Sequence, residues 1–150
     1  MNFQNSIKTC FKKYAKFKGR ASRYEFWYFT LFFYGVIGLI CLIAYFEYLY
    51  QSTNRSEFQS DDSCSLVVNY LKVIFCFTIV TLLPFLTVTV RRLHDINKSG
   101  KWVVVALLFT ILSAFIPYAG LLSLIINLII FVMCLSYGNR KNNDFGKNIY

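Results

Sequence analysis

The chain has 150 residues, of which 57% are apolar and 15% charged. A soluble domain carries about 25% charged residues, so this composition argues against a soluble globular protein. Sixteen Lys and Arg residues outnumber seven Asp and Glu and give a formal net charge of +9. A nucleic-acid-binding protein is also basic, but the positions of these charges, given below, explain the excess without DNA or RNA.

Long uncharged segments are the strongest feature of the chain. They run over residues 26–46, 73–90 and 102–137. About 20 helical residues cross a bilayer core, and a helix satisfies its own backbone hydrogen bonds there. The third segment has nearly twice the length of one crossing, and Pro117 to Gly120 form its predicted turn. Its two halves are short for a crossing, so a partly re-entrant hairpin is the alternative to two full spans. We therefore predict an all-α integral membrane protein with four transmembrane helices, at about 26–46, 71–90, 102–116 and 121–137.

The distribution of charge predicts how these helices cross the membrane. Basic residues precede the first uncharged segment, separate the second from the third and follow the last, whereas the connection after residue 46 is acidic. Cytoplasmic loops of membrane proteins are enriched in Lys and Arg. The predicted topology has both termini in the cytoplasm, an outer loop at 47–70, an inner loop at 91–101 and an inner tail at 138–150, all in a single membrane domain covering 1–150.

The N-terminal segment has an amphipathic pattern. Phe3, Ile7, Phe11 and Tyr14 recur at helical spacing, with lysines on the other faces. This pattern predicts an interfacial helix at about 3–18, whose lysines face anionic headgroups.

Two short polar motifs follow from local spacing. Ser22 and Glu25 form a predicted capping box at the start of the first span. In the inner loop Arg91 and Asp95 stand four residues apart, which predicts an ion pair on one helical face. The five Cys residues and the single His94 lack metal-ligand spacing, so we predict no metal site, no cofactor and no catalytic residue.

Three spaced motifs carry a resemblance to a known family. They are Gly19-Arg20-x-Ser22-Arg23-x-Glu25-Phe26-Trp27, then Arg91-Arg92-Leu93-His94-Asp95 with Ser99-Gly100 and Trp102, and finally Gly138 with Asn143-Asp144-Phe145-Gly146. With these motifs the chain resembles the DUF805 family, the YhaH-like small bacterial inner-membrane proteins of unknown function. The resemblance implies four helices in the bacterial inner (plasma) membrane and no established activity.

All three motifs fall on the predicted cytoplasmic side. We expect them to assemble into one cluster that binds anionic phospholipid headgroups or a protein partner, because bidentate arginine suits phosphate. The candidate residues are Arg20, Arg23, Arg91, Arg92, His94, Asp95 and Asn143. The alternative role for this cluster is a purely structural clasp between the loops and the tail.

The leading interpretation is therefore a non-enzymatic membrane protein. Two other classes stay open: a small transporter or exporter subunit acting as an oligomer, and a membrane-embedded headgroup enzyme that uses His94 and Asp95. The expected partners are membrane phospholipids and either a second copy of the chain or another membrane protein.

Overall fold

The protein is all-α. The computed structural model describes residues 2–54, 60–140 and 142–146, and within that part of the chain there are five helices. They are α1 (Phe3–Lys12), α2 (Arg23–Asn54), α3 (Ser60–Asp95), α4 (Lys101–Leu112) and α5 (Pro117–Leu135). Short tail residues follow, where Asn143 and Gly146 form an isolated antiparallel bridge.

Three of the helices are long and apolar enough to cross a membrane. The spans lie at Arg23–Thr53, Cys64–Asp95 and Tyr118–Leu135, and only 11%, 33% and 22% of the residues in their most apolar windows are buried within the chain. Exposed apolar surface of this extent requires a nonaqueous surrounding. Helix α4 has 12 residues, a length of about 18 Å against about 30 Å of hydrocarbon. The fourth transmembrane helix therefore stays a prediction.

The helix bounds differ from the predicted loops. Helix α2 continues to Asn54 and helix α3 begins at Ser60, so both helices extend into the predicted outer loop. Residues 55–59 of that loop lie outside the described part of the chain. Helix α3 continues to Asp95, so the first half of the predicted inner loop is helical. Helix α1 ends at Lys12 rather than at 18, and the chain then packs on α3, where the Thr87 hydroxyl oxygen lies 3.3 Å from the Tyr14 carbonyl oxygen.

The predicted turn at 117–120 is wrong by four residues. Helix α4 ends at Leu112, the turn occupies 113–116, and α5 begins at Pro117. Proline has no N–H and a fixed φ, which suits the first position of a helix, where the N–H has no intrahelical partner. Pro117 thus starts a helix here instead of breaking one.

The chain divides into two compact units. Thr30–Leu83 forms one, and Met1–Phe29 with Pro84–Tyr150 forms the other. In the first unit the two long helices pack through aromatic rings, with the Phe33 and Phe77 centroids 5.8 Å apart. We call the second unit the motif unit, because all three sequence motifs lie in it.

The link between α3 and α4 depends on two residues with special backbone requirements. Asn97 has φ 58°, a left-handed conformation that asparagine tolerates better than most residues and that ends α3. Gly100 lies against α3, where an added Cβ would stand 2.7 Å from Val90 Cγ1. This close approach fixes where α4 starts.

Candidate functional site

Five charged side chains are buried in the motif unit, in two ion-paired groups. They come from the segment before α2, from the first turn of α2 and from the last two turns of α3, and we call them the arginine–carboxylate cluster. Its members and their exposed fractions are Arg20 (6%), Glu25 (4%), Arg91 (1%), Arg92 (0%) and Asp95 (0%). Charges this deeply buried require partners, and the cluster supplies them from within.

Asp95 is the centre of the cluster. Its Oδ1 accepts from Arg20 Nε at 2.8 Å and lies 2.7 Å from Arg20 Nη2. Its Oδ2 accepts from Arg92 Nη1. Hydrogen bonds between ionised groups are about twice as strong as neutral ones. One carboxylate thus holds two arginines that are far apart in sequence.

Glu25 forms the second ion pair of the cluster. Arg91 Nη1 donates to Glu25 Oε1 at 2.6 Å. The Glu25 amide donates to Ser22 Oγ at 3.2 Å, so that half of the predicted capping box is confirmed. A carboxylate in the first turn also complements the positive end of the α2 dipole.

The predicted ion pair between Arg91 and Asp95 is wrong. Asp95 instead pairs with Arg92, three residues before it, and with Arg20. The physical reason is the packing around α3: Arg91 faces Glu25 at the start of α2, whereas Asp95 faces Arg20 and the C-terminal tail. Tertiary partners decide the pairing over the local helical spacing.

Arg91 is incompletely satisfied. Its Nε and Nη2 are buried and have no hydrogen-bonding partner among the residues that the structure describes. The Cys10 thiol lies nearby, with Sγ 3.9 Å from the Glu25 carbonyl oxygen. Burial and, next, the charge of Glu25 raise the pKa of Cys10 to about 12, although Arg91 and Lys13 act in the opposite direction. Cys10 is therefore a neutral thiol beside the guanidinium.

The arginines of the cluster also hold the C-terminal end of the chain. Arg92 donates to the Cys134 carbonyl at 3.2 Å and to the Ser136 carbonyl, and Arg20 donates to the Asn139 carbonyl. The Asn139 amide in turn donates to the Asp95 carbonyl at 2.9 Å. Carbonyls at a helix end have no intrahelical donor, and a cation there is favourable. The cluster thus joins the segment before α2, the end of α3 and the end of α5.

His94 and Asn143 lie beside the cluster. His94 Nδ1 is 3.2 Å from the Gly19 carbonyl, and its ring stacks on Phe145 with centroids 4.1 Å apart. Asn143 Nδ2 donates to the His94 carbonyl at 2.7 Å. The tail residues therefore cover one side of His94.

Of the seven candidate residues, Arg23 is the one placed apart. Its guanidinium lies 4.5 Å from the centroid of the Tyr137 ring, a cation–π contact, and it takes part in none of the ion pairs found among the described residues. The structure pairs Arg20 and Arg92 directly with Asp95, whereas Arg91 forms a separate ion pair with Glu25. His94 and Asn143 are joined to each other, because the Asn143 side chain donates to the His94 carbonyl. Sequence reasoning missed the tertiary roles of Glu25, Cys10, Asn139 and Phe145. A signal existed for Glu25 and Phe145, since they belong to the first and the third motif.

His94 and Asp95, the two residues considered for catalysis, contact different groups. Both Asp95 oxygens face arginines, while His94 Nδ1 faces the Gly19 carbonyl, so the two side chains are directed to different partners. Among the described residues, no group of three or more His, Cys, Asp or Glu side chains is placed to hold a metal ion.

Comparison with known proteins places the chain in a family. The family described as "Protein of unknown function (DUF805)" matches residues 14–147. The Inner membrane protein YhaI of Escherichia coli strain K12 is 34% identical over 145 residues, which cover 91% of this chain and 93% of that protein, and its counterpart in E. coli O157:H7 gives the same values. No solved structure gives a significant match. The chain belongs to the DUF805 family.

Proposed function

We propose that the chain is a multi-pass protein of the bacterial inner membrane, with four spans in one membrane domain and both termini in the cytoplasm. The apolar, largely unburied helices support membrane insertion. The E. coli relatives named above are inner-membrane proteins. The basic segments before α2 and after α3 support a cytoplasmic position for the motif unit.

The molecular role we propose is non-enzymatic: a basic cytoplasmic face that binds anionic headgroups and is held in shape by the arginine–carboxylate cluster. Burial of the arginines is the observation that separates the structural cluster from the binding surface. Arg20, Arg91 and Arg92 are almost completely buried and face Glu25 and Asp95, so they act as a clasp rather than as the contact surface. With three positive and two negative groups, the cluster keeps one excess positive charge, which favours an anionic surrounding.

The contact surface is the N-terminal segment. Lys12, Lys16 and Lys18 are exposed, and Arg23 is half-exposed. In α1, Phe3 and Phe11 pack edge-on against Tyr28 and Phe29, which attaches the helix to the start of α2. An interfacial position for α1 and for the segment that follows it would put these lysines at headgroup level, where each contributes about 1 kcal/mol near an anionic surface.

The other two classes of function have less support. A transporter subunit would need a continuous polar path, yet Thr87 and Thr89 donate to carbonyls of Pro84 and Phe85 in their own helix, at 3.0 and 2.7 Å. A headgroup enzyme would need His94 and Asp95 to act together, and their partners differ.

Native mass spectrometry of the purified chain tests the headgroup proposal. The combined variant Lys12→Gln, Lys16→Gln, Lys18→Gln should bind cardiolipin or phosphatidylglycerol up to about 100-fold more weakly at low ionic strength, from about 1 kcal/mol for each lysine. Phosphatidylcholine, which has no net charge, should show no such difference.

Two control variants separate the contact surface from the clasp. Lys72→Gln removes an exposed lysine in the N-terminal half of α3, outside the N-terminal segment, and should leave affinity for anionic lipid unchanged. Arg92→Gln should lower stability far more than lipid affinity. If the triple variant binds anionic lipid as well as the wild type, the headgroup proposal is wrong.

A further inference from the structure

A small polar group interrupts the apolar surface of the α4–α5 hairpin. It consists of Thr110 on α4 and of Ser123 and Asn127 on α5. The Thr110 and Ser123 hydroxyl oxygens are 2.9 Å apart, and Asn127 Nδ2 lies 3.3 Å from Ser123 Oγ and 3.4 Å from Thr110 Oγ1. Ser123 is buried, while Thr110 and Asn127 are exposed.

Counting donors and acceptors shows which atom lacks a partner. The Thr110 hydroxyl donates to the Ala106 carbonyl at 2.8 Å, so the Ser123 hydroxyl is the donor between the two hydroxyls. Asn127 Nδ2 lies 2.8 Å from the Ser123 carbonyl, which can only accept, and this fixes the orientation of the amide. Asn127 Oδ1 then has no donor among the described residues, and the second N–H of the amide makes only long contacts.

The position of Asn127 makes this a costly arrangement. It is the eleventh of the 19 residues of α5, the middle of the helix. Leu124, Leu128 and Phe131, its neighbours on that side, are exposed apolar side chains. Water is absent from the hydrocarbon core, so a polar atom there must find its partner in protein.

We propose that α5 pairs with α5 of a second copy of this chain, with the Asn127 amides of the two copies hydrogen-bonded to each other. This inference rests on the proposed membrane-spanning topology. A carboxamide carries both a donor and an acceptor, so the same residue in a second copy offers what each Oδ1 lacks and uses the poorly bonded N–H. A two-fold contact brings identical surfaces together, which makes this self-pairing geometrically natural.

The short length of α4 also favours pairing with a second copy through this surface. At about 18 Å it is short for a crossing, and short hydrophobic segments reduce their mismatch with the bilayer by oligomerising. Thr110 lies in the last turn of α4, directly beside Asn127. A second copy on this face would cover both the exposed amide and the short helix.

Energy transfer between two labelled pools of the full chain in phosphatidylethanolamine–phosphatidylglycerol vesicles tests the proposal. The wild type should show concentration-dependent transfer. Asn127→Leu should weaken association roughly 5- to 30-fold, the range for a side-chain hydrogen bond between transmembrane helices. Asn127→Gln, which keeps the amide, should retain most of it. Leu122→Ala, on an exposed apolar position of α5, should associate like the wild type.

The experiment distinguishes a failure of the pairing through Asn127 from a failure of the proposed membrane topology. If the chain is released from membranes by alkaline carbonate, the membrane topology itself is wrong. If it stays inserted but shows no transfer, or if Asn127→Leu associates as strongly as the wild type, only the pairing through Asn127 is overturned. Stoichiometric binding of a different membrane protein that requires Asn127 would also overturn the second copy as partner.

Discussion

Replacing Asp95 by asparagine is the sharpest test of the arginine–carboxylate cluster. The change keeps the shape of the side chain but removes the charge that Arg20 and Arg92 share. Asp95 accepts from Arg20 Nε and from Arg92 Nη1 and is 0% exposed. Water therefore cannot solvate the two arginines once the carboxylate charge is removed. The positive excess of the cluster rises from one charge to two.

The expected loss in the free energy of unfolding follows from the burial of Arg20 and Arg92. Removing one member of a buried ion pair costs about 3–5 kcal/mol, because the remaining charge is left without a counterion. Asparagine keeps one acceptor oxygen, which places Asp95→Asn toward the lower end of that range. A double-mutant cycle with Arg20→Gln should show a coupling energy of about 0.5–3 kcal/mol, as expected for directly contacting residues.

The assay is reversible unfolding of the purified chain in mixed micelles titrated with sodium dodecyl sulfate, followed by the circular dichroism of the helices. Asp144→Asn is the matched control, since Asp144 is exposed in the tail and has no ion pair among the described residues. It should change the free energy of unfolding by no more than about 0.5 kcal/mol. A loss below about 1 kcal/mol for Asp95→Asn, equal to that of the control, would refute the clasp.

Two further predictions concern packing and thiol chemistry. Gly100→Ala should destabilise the chain by about 1–3 kcal/mol in the same unfolding assay, because the new methyl group meets Val90. Adding Val90→Ala to this variant should restore part of the loss. If Gly100→Ala alone causes no loss, α4 can shift freely. Cys10 should react with a maleimide at pH 8 far more slowly than the exposed Cys64, since raising the pKa from 9.0 to about 12 lowers the thiolate fraction about 1,000-fold. The same shift sets the pH dependence of stability. The Cys10 thiol ionises at a lower pH in the unfolded chain than in the folded chain, so the folded state should lose stability as the pH rises above about 9. Equal labelling rates for the two cysteines would contradict the buried position of Cys10.

The helical class and the placement of the long helices could be predicted from the sequence, because both depend on local properties. An uncharged segment of sufficient length specifies a helix through its backbone requirements alone. The break near residue 116 was predicted to exist but was misplaced. A proline both ends and starts helices, and the pattern around Pro117 does not distinguish the two.

The candidate site was predicted less completely. The motifs identified the arginines and Asp95, but local spacing paired Arg91 with Asp95. Arg91 instead pairs with Glu25, 66 residues away along the chain, and Asp95 pairs with Arg20, 75 residues away, as well as with its near neighbour Arg92. Such pairing depends on how helices pack, which residue spacing within one helix does not encode. The separation of Arg23 from the ion pairs has the same origin.

The most direct test of the whole account is the side of the membrane that each polar segment occupies. Versions of the chain with one cysteine each, either Cys64 alone or a Lys98→Cys replacement alone, can be labelled in intact bacterial cells with a membrane-impermeant maleimide. Cys64 should be labelled in cells whose outer membrane alone is permeable, whereas residue 98 should be labelled only after the inner membrane is opened. Labelling of residue 98 from the periplasm would contradict the cytoplasmic position of the arginine–carboxylate cluster and, with it, the proposed headgroup surface.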